Sequence, residues 1–132
     1  MVTKKGPGND RATPVMLIHG LFMTRSFWSP ENYRPLAERH PVHAISLPGH
    51  YPEAPFQPGD SLTKERVLAC FDRQLDNLVG NRPVVLMGHS TGALLALYYA
   101  SQRPRRVSKV VSVGGTENGH EEALAYRFSP AE

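Results

Sequence analysis

Four short apolar runs punctuate the chain, each closed by a turn-forming residue. They are Pro14 to Gly20, Val42 to Leu47, Pro83 to Met87 and Val107 to Val113. Continuous runs of this length, rich in valine and isoleucine, suit strands buried on both faces of a parallel sheet. Between them the period changes. Residues 30–40 place Tyr33, Leu36 and Ala37 on one side of a short helix that Pro41 ends. Residues 61–79 repeat Val67, Leu68, Phe71, Leu75, Leu78 and Val79 at helical spacing. Asp60 or Ser61 can cap this helix, and Gly80 is placed to stop it. Residues 91–102 are apolar nearly all round, so a deeply packed helix is expected, limited by Pro104. The alternation of strands and helices predicts an α/β domain: a parallel sheet of about four strands with flanking helices and right-handed crossovers.

The ends differ from this middle. Residues 1–13 are polar and rich in glycine and proline, the pattern of a flexible leader. Residues 50–60 carry three prolines and Gly59 and read as a surface loop. Residues 116–132 read as the start of a cap or lid region or a disordered tail, with a helix near Glu121–Arg127. The expected division is therefore leader 1–13, domain 14–115 and tail 116–132.

Composition adds exclusions. A chain of 132 residues with 40% hydrophobic and 20% charged residues suits one globular domain. The net charge of +3 comes partly from Lys4-Lys5 and from Arg103 through Lys109. No nucleic-acid recognition motif accompanies it, so a solvated surface is expected and no nucleic-acid partner. The one cysteine, Cys70, can form no internal disulfide and falls on the apolar side of a helix, where it reads as a small buried hydrophobe. No secretory signal and no membrane-span run are visible, and a cytoplasmic location is the expectation. No cluster at metal-ligand spacing appears, and neither a metal nor a cofactor is implied.

The stretch that carries chemistry is Val84-Val-Leu-Met-Gly-His-Ser-Thr-Gly92, with Gly88-x-Ser90-x-Gly92 between the third strand and the helix after it. A serine on so tight a strand-to-helix turn has a strained backbone, and its neighbours two before and two after must be small. The turn pushes the hydroxyl out at the carboxyl edge of the sheet. The following helix aims its free N–H groups at the same place, where they stabilise a developing oxyanion.

With this turn, His19-Gly20-Leu21-Phe22 after the first strand and Leu47-Pro-Gly-His50 after the second resemble the α/β-hydrolase superfamily across about residues 14–115. The resemblance implies an incomplete α/β-hydrolase fold, with strands ordered second, first, third, fourth, and a ligand site at the switch point between the first and third strands. It implies Ser90 as nucleophile and the N–H groups of Leu21 and Thr91 as oxyanion donors, in preference to Phe22. Each such donor is worth about 3–4 kcal/mol in the transition state. His19, Gly20, Gly88, His89 and Gly92 support the turns. Ser46 stands where many relatives have aspartate and Tyr51 where many have glycine; both are read as structural.

A serine hydroxyl needs a base. The resemblance places the acid and the histidine later than this chain reaches. Among the histidines present, His89 and His19 are expected to support the turns. His40 and His43 are read as surface or structural, and His50 as a loop residue without a role. His120 and Glu117 follow the fourth strand at the active-site edge, which makes Glu117 a candidate acid. Asp72 and Asp76 read as solvent-facing charges on the long helix. The expected function is serine-nucleophile hydrolysis of an ester or related acyl bond in a small-molecule substrate, by a truncated form with little activity alone. The alternatives are a non-catalytic remnant that binds a ligand or partner, and one half of a split enzyme completed by a second chain.

Overall fold

The computed structural model describes residues 12–115, together with two further strands, Thr3–Lys4 and Glu121–Arg127. In chain order the elements are β1 (Thr3–Lys4), β2 (Val15–Ile18), α1 (Pro30–Ala37), β3 (Val42–Ile45), α2 (Lys64–Val79), β4 (Val84–His89), α3 (Thr91–Gln102), β5 (Val107–Gly115) and β6 (Glu121–Arg127). They form one sheet in the order β1-β3-β2-β4-β5-β6. The four inner strands are parallel, so the expected α/β architecture and its strand order stand. Growth of the sheet reverses between β2 and β4, the two strands that follow the switch-point rule for ligand sites.

Alternation along the strands divides the core. Met16, Ile18, Ile45, Val84 and Leu86 face α2 and α3, where Phe71, Leu75 and Tyr99 complete a continuous apolar layer. Val15, Leu17, Val42 and Ala44 face α1 and meet Tyr33 and Ala37. Every one of the β2 side chains is buried, which is why this strand reads as unbroken hydrophobicity. Phe71 and Tyr99 meet edge-on, with ring centroids 5.6 Å apart.

Several expectations require correction. The segment Glu121–Arg127 is not a helix but a strand antiparallel to β5, from Lys109↔Arg127 to Gly115↔Glu121. Its glutamate, alanine and leucine favour a helix, yet the open edge of β5 offers a full row of unpaired backbone groups, and that ladder overrides propensity. Within the expected leader, Thr3–Lys4 pair antiparallel with Val42 and His43. Each edge of the parallel core therefore carries an antiparallel strand. Residues 1–2, 5–11, 116–120 and 128–132 lie outside the described residues, and with them Glu117 and His120.

The cap of α2 is Thr63, whose hydroxyl accepts the Arg66 N–H at 3.2 Å, rather than Asp60 or Ser61. Asp60 is engaged elsewhere, by the Gln57 N–H and the Arg66 guanidinium. Asp72 and Asp76 are not simply solvent-facing. Asp72 accepts the Tyr99 hydroxyl at 2.6 Å and the Arg103 guanidinium at 2.9 and 3.2 Å, and Asp76 accepts Arg106 at 2.6 Å. These bonds tie α2 to α3 and to the turn that follows it. Burial and the Asp72 carboxylate keep the Tyr99 phenol protonated well above its ordinary range. Helix α3 is also less enclosed than its composition suggests. Ala93, Ala96, Tyr99 and Ala100 are buried, but Leu94 is 67% exposed, at a pocket it shares with Lys64 and Val67 of α2.

Candidate active site

Ser90 stands at the junction of β4 and α3 with φ 56° and ψ −122°, a left-handed backbone that serine rarely adopts. The surrounding packing enforces it. A Cβ on Gly88 would lie 2.5 Å from the Ala93 nitrogen, and a Cβ on Gly92 would collide with the carbonyl oxygens of Ile18 and His19. The first turn of α3 therefore lies directly against the end of β2, which only a residue without a side chain permits. Ser90 is exposed, and its hydroxyl makes no capping bond to the helix it begins.

The turn after β2 closes onto the same place. Gly20 lies against the His89 carbonyl, where an added Cβ would come within 3.3 Å. Leu21 and Phe22 follow at the surface, Phe22 with φ 64° and 90% exposure. The N–H groups of Leu21 and Thr91 have no protein acceptor among the described residues. The Phe22 N–H is different: it donates to His50 Nε2 at 2.8 Å. Of the candidate donors, the structure thus brings Leu21 and Thr91 to adjoining turns with free N–H groups, and occupies Phe22.

His50 was the residue that sequence reasoning missed. Because its Nε2 accepts from Phe22, its Nδ1 carries the proton, and Nδ1–H donates to the Pro48 carbonyl at 2.9 Å. It fixes the Leu21-Phe22 turn from the loop after β3. Its position in the Pro-Gly-His loop was the only available signal. His19 is fully buried and held in the same tautomer. Its Nε2 accepts the Leu47 N–H at 3.3 Å, so Nδ1–H donates to the Gly20 carbonyl at 2.8 Å. Burial lowers the His19 pKa below 6.5, the Gly20 bond opposes this, and His50 and Arg25 lower it further. Neutral His19 thus bridges the Gly20 carbonyl and the Leu47 N–H.

That depression has a sign. The unfolded chain takes up a proton on His19 near pH 6.5 while the folded chain resists it. The stability contributed by neutral His19 is complete above pH 6.5 and is lost as pH falls towards the lower folded value. Melting of the wild type should therefore weaken between pH 7.5 and 5 more steeply than that of His19→Asn. Parallel curves for the two proteins would contradict this assignment.

His40 Nδ1 bonds the Thr13 carbonyl at 2.8 Å, and His43 is buried on β3 between β1 and β2. His89 stacks on Phe27 with ring centroids 4.3 Å apart, and its Nδ1 is buried without a partner. Cys70 is buried, its thiol pushed up to about 12 by burial and by Glu53, and so is no nucleophile near neutral pH.

Behind the Leu21-Phe22 turn lies a polar cluster that sequence reading did not detect. Arg25 donates through Nε to Ser46 Oγ at 2.8 Å and through Nη2 to Gln74 Oε1 at 3.3 Å. Gln74, buried on α2, also accepts the Ser46 N–H and donates to the Ser46 carbonyl. Ser46 is thus a fully buried anchor of the loop after β3. Burial lowers the Arg25 pKa from its ordinary value, and the Glu53 charge partly offsets this. Among the described residues no group of three His, Cys, Asp or Glu side chains could hold a metal, and no helix is long and apolar enough to cross a membrane.

Residues 13–131 match the profile of a family described as alpha/beta hydrolase fold. The chain is 31% identical over 128 residues to a triacylglycerol lipase of Pseudomonas fragi, covering 88% of this chain and 39% of that protein. It is 36% identical over 99 residues to a pimeloyl-[acyl-carrier protein] methyl ester esterase of Neisseria meningitidis, covering 74% of this chain and 35% of the esterase. Among solved structures, a thioesterase domain from the curacin biosynthetic pathway superposes with a TM-score of 0.69 at 31% identity, covering 84% of this chain and 40% of that domain. The chain spans less than two fifths of the length of these two curated relatives.

Proposed function

Because the chain belongs to the α/β-hydrolase family, we propose that Ser90 is the nucleophile of a hydrolase acting on an ester or related acyl bond. The observation that carries this reading is the forced left-handed turn at Ser90, seated against the end of β2 by Gly92. Such a turn holds the hydroxyl clear of both β4 and α3 and leaves it free to attack. In the first step Ser90 Oγ adds to the acyl carbonyl, and the oxygen that becomes negative is received by the N–H groups of Leu21 and Thr91. The bond from His50 to the Phe22 N–H orders the loop that presents Leu21. The lipase, esterase and thioesterase relatives support acyl chemistry of this kind.

Removal of the Ser90 proton calls for a base outside the described residues. His19 and His50 use both ring nitrogens on backbone groups. His89 is adjacent in sequence, but its ring turns away to stack on Phe27. In this reading the base and its acid come from the remainder of a longer hydrolase or from a second chain, with Glu117 still a candidate acid. The 132-residue chain alone then retains only the rate supplied by binding and oxyanion stabilisation, about 10³–10⁴-fold over water.

The test is covalent labelling by a fluorophosphonate, followed by peptide mass analysis. The label should map to Ser90 in the complete hydrolase and disappear in Ser90→Ala. Equal labelling of that variant would refute the assignment.

A further inference from the structure

An open cleft is lined by Thr24, Arg25, Ser26, Trp28, Tyr51 and Pro52. Arg25, the one charged residue of this lining, has no anionic partner among the described residues. The Arg25 guanidinium reaches only the neutral oxygens of Ser46 and Gln74, and no carboxylate of the described residues lies within ion-pair distance. Glu53, the carboxylate whose field it feels, is taken up by Arg73. The Trp28 indole Nε1–H is buried with no partner. A half-buried cation whose partners are all neutral is stabilised by an anion that enters the cleft it lines. Phe27 connects the cleft to the site. It meets Trp28 edge-on at 5.2 Å and stacks on His89, the residue before Ser90.

We infer that this cleft receives an anionic oxygen group, a carboxylate or phosphate, carried by the substrate at a distance from its scissile acyl bond. The guanidinium of Arg25 supplies the charge, and Trp28 lines the cleft beside it. The hydroxyls of Thr24 and Ser26, 2.7 Å apart, give the rim further polar capacity. The inference rests on the hydrolase reading for the word substrate, but not for the anion site itself. It gives that reading a substrate class: acidic esters rather than neutral ones.

Trp28 is the one tryptophan of the chain, so its emission and its indole ¹⁵N–¹H resonance report on the cleft. The 132-residue chain is titrated with monomethyl glutarate, methyl phosphate and dimethyl glutarate. The two anions should shift the Trp28 indole and Arg25 Nε resonances, and the relative affinities of the two distinguish a carboxylate site from a phosphate site. The neutral diester should bind at least tenfold more weakly. Arg25→Met should weaken anion binding by about ten- to a hundredfold, the effect of one charge-assisted bond. Ser46→Asp should do the same while keeping the arginine, because it puts a carboxylate where Ser46 Oγ now accepts Arg25 at 2.8 Å. If either variant fails to fold, the other decides. Absence of any shift, equal binding of the diester, or undiminished binding by a folded variant overturns the proposal. Ser90→Ala should leave anion binding unchanged, so failure of the anion site and failure of the nucleophile assignment are read separately.

Discussion

Ser90→Ala should lower ester turnover by the complete hydrolase by about 10⁴- to 10⁶-fold, measured as kcat on a p-nitrophenyl ester. The size follows from the chemistry assigned to Ser90: without the oxygen no covalent intermediate forms, and only binding and oxyanion stabilisation remain. The fold should hardly register the change. The hydroxyl makes no capping bond and points to solvent, so a shift of about 0.5 kcal/mol at most is expected. Activity and stability are thereby separated in one variant. A loss of less than tenfold in a folded variant would mean that another group attacks the acyl carbon.

Gly92→Ala should have the largest effect on stability. One methyl group at this position meets two backbone carbonyl oxygens, those of Ile18 and His19, and neither can swing aside as a side-chain end would. Helix α3 must move away from β2, opening the seam where Ala93 and Ala96 are buried. Overpacking of this kind costs about 3 kcal/mol. The same displacement pulls Thr91 away from Leu21, so phosphonate labelling of Ser90 should slow as well. Gly59→Ala is the control: its φ of 89° strains the backbone, but no atom lies within 4 Å of the added carbon. Urea unfolding that places Gly92→Ala at or above Gly59→Ala in stability would show that the contact yields.

Local pattern was enough for much of this fold. The runs at Val15–Ile18 and Val42–Ile45 are buried on both faces, so hydrophobicity alone marks them as inner strands. The spacing Gly88-x-Ser90-x-Gly92 was legible because the steric demand falls on neighbours in sequence. Features set by distant partners were not legible. His50 and Phe22 are 28 residues apart, and nothing in either residue announces the bond between them. Arg25, Ser46 and Gln74 come from three separate elements, and only the fold makes them one cluster. Asp60, Ser61 and Thr63 are all competent caps, and geometry chose among them. Glu121–Arg127 has helical composition, and only the available edge of β5 makes it a strand.

The left-handed backbone at position 90 also constrains the evolution of this chain. Glycine is the residue for which φ near 56° carries no steric penalty, so thermostability screening of every substitution there would favour it. With Ser90 as the proposed nucleophile, screening for catalysis would favour serine instead. The two selections pull one codon in opposite directions, and a stabilisation campaign that leaves position 90 unprotected would improve the scaffold by deleting its chemistry.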